Sequence, residues 1–199
     1  MLVLCLLTVV GCGSAKPNAK PNAKPNPQTA TWTNTAGGVS SYDITSLAYD
    51  SGHNLLYAGT YGQGVWKYDG TNWTNTGGGV SSYNIPSLAY DSGHNLLYAG
   101  TYANGVWKYD GATWTDTGGG VSGVSADNIP LLAYDSGHNL LYAGTKKGVW
   151  KYDGATWTDI GGGVSGVSSY EIRSLAYDSG HNLLYAGTGG GVWKYDGTP

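Results

Sequence analysis

Ala48-Tyr49-Asp50-Ser51-Gly52-His53-Asn54-Leu55-Leu56-Tyr57-Ala58-Gly59-Thr60 is the stretch that decides the fold. It recurs without a change at 89–101, 133–145 and 176–188. Each copy is followed by Gly-Val-Trp-Lys-Tyr-Asp-Gly, at 64–70, 105–111, 148–154 and 191–197. The copies start 41, 44 and 43 residues apart. A fixed period of this length marks an array of supersecondary units that cannot bury their faces alone and stack on one another.

Within the first repeat, Ser46–Tyr49 is a short alternating run, closed by the turn cluster Asp50-Ser51-Gly52-His53-Asn54. Leu55–Thr60 and Val65–Tyr68 read as a second and third strand, joined to a short fourth, Asn72-Trp73-Thr74, by the hairpin pair Asp69-Gly70. Gly77-Gly78-Gly79 then breaks the chain. No window keeps a helical apolar period, and the β-branched and aromatic content favours strands. Both faces of this four-stranded meander carry bulky residues: Leu55 and Tyr57 opposite Leu56, Trp66 and Tyr68 opposite Val65. Sheets covered on both faces stack on like sheets, and radial stacking makes a β-propeller.

The expected fold is therefore all-β: a four-bladed propeller of four-stranded antiparallel blades. The last repeat stops after its third strand, and an orphan Thr31-Trp32-Thr33 precedes the first. That N-terminal strand is expected to complete the last blade and close the ring, since closure removes exposed edges. Two chains forming one larger ring is the alternative, so the chain is expected as monomer or dimer. The span Leu47–Gly70 resembles bacterial propeller repeats of the two-component-regulator sensor type, and the likeness extends over nearly all of residues 30–199. Asp69-Gly70-Thr71-Asn72-Trp73 is similar to the Asp-box loops of sialidase-like propellers, but is a residue short and has Lys67 where that motif has Ser. These likenesses imply a fold and little about activity.

Residues 1–11 form an apolar run ending Val9-Val10-Gly11-Cys12, which resembles a bacterial lipoprotein signal peptide. The resemblance implies cleavage before Cys12, acylation of that residue (palmitate among the chains) and membrane anchorage. It also implies a cell-envelope location, at the outer membrane or cell surface, because Gly13-Ser14 follow without Asp. No Lys or Arg precedes the apolar run, which departs from that pattern and leaves the true start codon open. Residues 12–28 then carry Lys-Pro-Asn-Ala repeats. Regular proline forbids helix and makes an extended spacer, on the order of 30–40 Å long. The propeller occupies 29–199.

Beyond Pro27 there are 7 Lys and Arg against 13 Asp and Glu, which argues against nucleic acid as a partner. The only cysteines, Cys5 and Cys12, precede the repeats, so the propeller has neither disulfide nor thiolate metal site. The glycine runs at 118–123 and 161–166 lack the strand and helix that a dinucleotide site needs, and no cofactor is expected. His53, His94, His138 and His181 recur at one turn on separate blades; we read them as turn residues, without a metal. Asp50, Asp91, Asp135 and Asp178, which open those turns, are expected to accept backbone N–H bonds. Arg173 is the only arginine, whereas sialidase-like enzymes use three; with one nearby acid, Glu171, it makes no catalytic constellation.

The copies differ mainly in two connections, which a meander places at one end of the ring. These point to a ligand-binding set of Tyr61, Gln63, Tyr102, Asn104, Asp127, Lys146, Lys147 and Glu171, because loops on a rigid scaffold commonly carry recognition. The functional expectation is a surface-tethered, non-enzymatic binding protein that contacts a protein or carbohydrate through this loop face. A multivalent lectin with one sugar site per blade is the alternative, and a propeller lyase or hydrolase a lower one.

Overall fold

The structure, a computed structural model, describes residues 31–35, 37–102, 104–118, 131–146, 148–161 and 171–197. Two compact units divide it, 1–34 and 35–199. Of the first, residues 31–34 are described; they have no regular structure, and Trp32 is fully exposed. The expected strand at Thr31–Thr33 is therefore not formed; three residues bury too little apolar surface to hold an edge by themselves.

Among the described residues, the second unit is all-β apart from one 3-10 turn at Gly78–Val80. Sheet 1 consists of β1 (Ile44–Asp50), β2 (Leu55–Thr60), β3 (Val65–Tyr68) and β4 (Trp73–Asn75). Sheet 2 repeats it with β5 (Ser87–Asp91), β6 (Leu96–Gly100), β7 (Val106–Tyr109) and β8 (Trp114–Asp116). Sheet 3 has β9 (Leu131–Asp135), β10 (Leu140–Thr145), β11 (Gly148–Tyr152) and β12 (Trp157–Asp159). Sheet 4 has three strands among the described residues: β13 (Ile172–Asp178), β14 (Leu183–Thr188) and β15 (Gly191–Tyr195). Neighbouring strands run antiparallel in chain order, so each sheet is a meander. The expected strand limits hold for β2 and β3; β1 is longer at both ends and β4 shifts by one residue.

The sheets stack through their first strands: β1 packs on β5, β5 on β9 and β9 on β13. Between sheets 1 and 2 lie Tyr57, Val65, Val80, Ile85 and Leu88; Val106 and Leu141 lie between 2 and 3, and Tyr142, Val149 and Ile172 between 3 and 4. Burial of such side chains, about 1.5–3 kcal/mol each, is what a lone sheet lacks. The close approach requires glycine near the ends of β2 and β10. A Cβ on Gly59 falls 2.8 Å from Ile85, and one on Gly144 2.8 Å from Ile172, so larger residues push the sheets apart.

Indole N–H groups tie sheets 1, 2 and 3 to the strand exit before each. Trp114 Nε1 donates to Thr76 Oγ1 at 3.1 Å and Trp157 Nε1 to Thr117 Oγ1 at 3.3 Å. Trp73 Nε1 bonds Thr35 Oγ1 at 3.2 Å in the same way. Thr35 thus stands beside sheet 1 as Thr76 and Thr117 stand where the fourth strands of sheets 1 and 2 end. At the fourth such position the chain has Ile160, next to the sheet with no fourth-strand tryptophan among the described residues.

Candidate functional site: the inter-sheet grooves

Each Asp-Ser-Gly-His-Asn turn joins the first strand of a sheet to its second. In sheet 2, Asp91 Oδ1 accepts N–H bonds from Gly93 (2.9 Å) and His94 (3.1 Å), which closes the turn as expected. Its Oδ2 lies 2.8 Å from His94 Nδ1. The same three contacts recur at Asp50, Asp135 and Asp178, with the imidazole 2.7–2.8 Å away. A carboxylate can only accept, so in the neutral imidazole Nδ1 carries the proton and Nε2 remains an acceptor. The asparagine that ends each turn sits at φ +55° or +56°, a left-handed conformation that Asn tolerates better than most residues. Its Oδ1 accepts the hydroxyl of the first-strand tyrosine: Tyr49 to Asn54 at 3.0 Å, Tyr90 to Asn95 at 3.5 Å, Tyr134 to Asn139 and Tyr177 to Asn182 at 3.4 Å.

Stacking of successive sheets turns these local motifs into a shared site. The hydroxyl of Tyr90 is directed at the Asp50 carboxylate of the preceding sheet, Tyr134 at Asp91, and Tyr177 at Asp135. The rings stack across the interface on a second-strand tyrosine: Tyr57 with Tyr90, Tyr98 with Tyr134 and Tyr142 with Tyr177, centroids 5.9–6.2 Å apart. Burial pushes the Asp50 carboxyl up, but the Tyr90 hydroxyl, the His53 ring and two backbone N–H groups outweigh it and hold it below the ordinary carboxylate value. Asp135 is held low in the same way by Tyr177 and His138. Tyr57, Tyr98 and Tyr142, buried beside these carboxylates, are pushed up to about 12. Burial and the facing carboxylate also raise Tyr90, Tyr134 and Tyr177.

Two equivalent cavities open over this arrangement. One, of about 320 Å³, lies between sheets 3 and 4 and is lined by Asp135, His138, Tyr142, Lys151, Tyr177 and Asn182, with Asp196 at its rim. The other, of about 290 Å³, lies between sheets 2 and 3 and presents Asp91, His94, Tyr98, Lys108, Tyr134 and Asn139, with Asp153 at its rim. Each combines tyrosine rings with convergent donors and acceptors and has the volume of a small-ligand site. Each also carries two carboxylates against one ammonium, a balance that suits a neutral polar ligand better than an anion.

The residues that sequence reasoning chose lie at the other end of the sheets. Tyr61 and Gln63 sit between β2 and β3, Tyr102 and Asn104 between β6 and β7, and Lys146 between β10 and β11. Backbone bonds from Tyr61 to Asp43 and from Tyr102 to Asn84 link these connections to the segments entering the first strands, as the meander argument expects. Tyr61, Gln63, Tyr102, Lys146 and Glu171 are exposed. The Gln63 and Asn104 carbonyls receive the indole N–H of Trp66 and Trp107, and the Asn104 amide bonds the Tyr102 carbonyl, so these two also shape their own loops. Cys12, Asp127, Lys147 and most of the two glycine runs lie outside the described residues. Among the described residues, no group of three or more His, Cys, Asp or Glu is placed to hold a metal.

No family model matches this sequence, and no curated protein matches it. Solved structures do. The extracellular domain of the BT4673 one-component system from B. thetaiotaomicron superposes with TM-score 0.64 at 23% identity, covering 87% of this chain and 22% of that one. An ancestral GH74 enzyme gives 0.65 at 18% identity, covering 82% and 23%. The WD40 repeats of RRP9 give 0.60 at 15%, covering 78% and 48%. The chain thus spans about a fifth of the first two structures and about half of the third. Identities this low establish the fold, and that fold is a β-propeller.

Proposed function

We propose that this chain is a non-enzymatic binding propeller that takes neutral, hydroxyl-rich ligands, saccharides of one or two units, in the grooves between its sheets. The observation that carries the proposal is the pair of equivalent grooves with the same tyrosine, histidine, lysine and asparagine lining. Tyrosine rings supply flat apolar surface for sugar C–H groups, while His Nε2, Lys Nζ and Asn supply oriented polar contacts. Repetition adds avidity to weak single sites. The Asp91 and Asp135 carboxylates already accept bonds from turn N–H groups and the imidazole, and this supports a positioning role over proton transfer. A glycan array on the full chain, followed by calorimetric titration, tests the proposal. It expects several equivalent sites per chain, with His138→Ala and Tyr177→Phe weakening one of them. A single site insensitive to both variants overturns it.

A second reading, a protein contact through the loop end, is favoured by the exposed rings of Tyr61 and Tyr102. Tethering at the bacterial surface through an acylated Cys12 belongs to the same proposal; it is supported by the likeness to an extracellular domain and the lipoprotein-like segment. Cys12→Ala is expected to release the chain from membranes, since one or two acyl chains supply the attachment. Retention after a salt wash refutes that part.

A further inference from the structure

The two end faces of the sheet stack are the two halves of one interface that the chain already builds three times. At the inner junctions the third-strand valine is buried: Val65 and Val106 are 0% exposed and Val149 4%. Val192, at the same position in sheet 4, is 77% exposed. On the facing side Ile85 and Ile172 are buried and Leu88 is nearly so, whereas Ile44 and Leu47 of sheet 1 are 43% and 59% exposed. The groove chemistry splits in the same way. The Asp50, Asp91 and Asp135 side chains are 2–3% exposed beneath a tyrosine of the following sheet, but that of Asp178 is 36% exposed. Tyr49, the tyrosine that would cover such a carboxylate, is 56% exposed and bonds Asn54 of its own turn. Among the described residues, sheet 4 therefore presents a valine and an aspartate with no sheet over them, and sheet 1 presents the isoleucine, leucine and tyrosine that cover their counterparts elsewhere. Within one chain these faces leave each other uncovered.

We propose that a second copy of this chain docks head to tail, sheet 4 of each copy on sheet 1 of the other, closing one ring from two chains. The occupant follows from continuity with the internal interfaces, because the surface that fits sheet 4 is already carried by sheets 2, 3 and 4 and repeated on sheet 1. Thr35, bonded to Trp73 as Thr76 is to Trp114, marks where a preceding sheet stands beside sheet 1. Two head-to-tail contacts related by a two-fold axis satisfy both end faces at once and leave no exposed edge face. Each contact also builds a further groove, from Asp178, His181, Tyr185 and Lys194 of one copy with Tyr49 and Asn54 of its partner, which one chain alone leaves half-formed. The assembly rests on packing and stands or falls independently of any ligand.

The test is the mass of the full chain by analytical ultracentrifugation, in mild detergent that keeps the apolar N-terminal run solvated. Twice the chain mass is expected for the wild type. Val192→Asp places a charge on an exposed position, so it is expected to keep the circular dichroism spectrum of the fold and halve the mass. Leu47→Asp, on the other face, is expected to do the same. A wild-type monomer, a mass beyond two copies, or dimers that survive both substitutions overturns the proposal.

Discussion

Replacing Tyr134 by Phe removes one hydroxyl and leaves the ring stacked on Tyr98, 6.1 Å between centroids. That hydroxyl is directed at the buried Asp91 carboxylate and at Asn139 Oδ1, 3.4 Å away. Hydrogen bonds to charged groups contribute about 1.5–3 kcal/mol, and the single hydroxyl proton is shared between the carboxylate and Asn139, so we expect a loss of about 1.5–2 kcal/mol. For a folded unit of this size the loss lowers the melting midpoint by roughly 2–8 °C. Tyr90→Phe and Tyr177→Phe face Asp50 and Asp135 in the same geometry and are expected to match it. Tyr49→Phe distinguishes one open chain from the two-chain ring. In a single open chain its hydroxyl reaches its own turn and the change stays within about 0.5 kcal/mol; in the two-chain ring it costs as much as Tyr134→Phe. Thermal unfolding followed by near-ultraviolet circular dichroism reads all four. Should Tyr134→Phe leave the midpoint unmoved, the tyrosine–carboxylate contact across the sheets does not hold the stack together, and the grooves lose their physical basis.

Stability is expected to fall at both extremes of pH. Asp50 and Asp135 have folded values below the ordinary carboxylate range, so their contribution is present above about pH 4 and is lost as pH falls through the folded values. Tyr57, Tyr98 and Tyr142 are raised to about 12, so theirs is intact below about pH 10 and is lost as pH climbs toward 12. A flat denaturation midpoint from pH 10 to 12 refutes the second half. Gly144→Ala puts a Cβ 2.8 Å from Ile172 and is expected to cost about 1–3 kcal/mol in urea unfolding. A neutral result shows that the sheets have room to spare. Trp150 Nε1 is buried with no partner among the described residues, while Trp107 Nε1 bonds the Asn104 carbonyl at 2.9 Å. Trp107→Phe is therefore expected to cost about 1 kcal/mol more than Trp150→Phe in the same assay, and equal costs count against a structural role for that bond.

The repeat period, the limits of β2 and β3, and the closing role of Asp91 in its turn are legible in the sequence, because each depends on residues within one repeat. So is the placing of Tyr61 and Tyr102 beside the segments that enter the first strands, which follows from the meander alone. The grooves are not legible in this way. The Asp91-to-His94 pair reads as a turn, and it becomes half of a site only when Tyr134 and Asn139, more than forty residues on, are brought over it by stacking. The sole local clue is the invariant Asn after the histidine, whose φ near +56° presents its amide to the tyrosine. Tyr61 and Tyr102 stand out in the sequence because their loops vary between copies, while the identical turns pass for scaffold. Closure escapes the sequence for a related reason. An orphan Thr31-Trp32-Thr33 matches a missing strand on paper, yet pairing depends on whether the two end faces meet, and the exposure of Val192 and Leu47 shows that in one chain they do not.

The most direct test of the account is nitrogen-15 spectroscopy of the four imidazoles while the best saccharide from the array is added. The histidines lie one per turn, and Nε2 of His94 and of His138 reports on the groove that each lines. The account predicts that the His94 and His138 signals move together, with one affinity, while the tyrosine signals of Tyr61 and Tyr102 stay fixed. Movement confined to Tyr61 and Tyr102, with all four imidazoles unchanged, contradicts it.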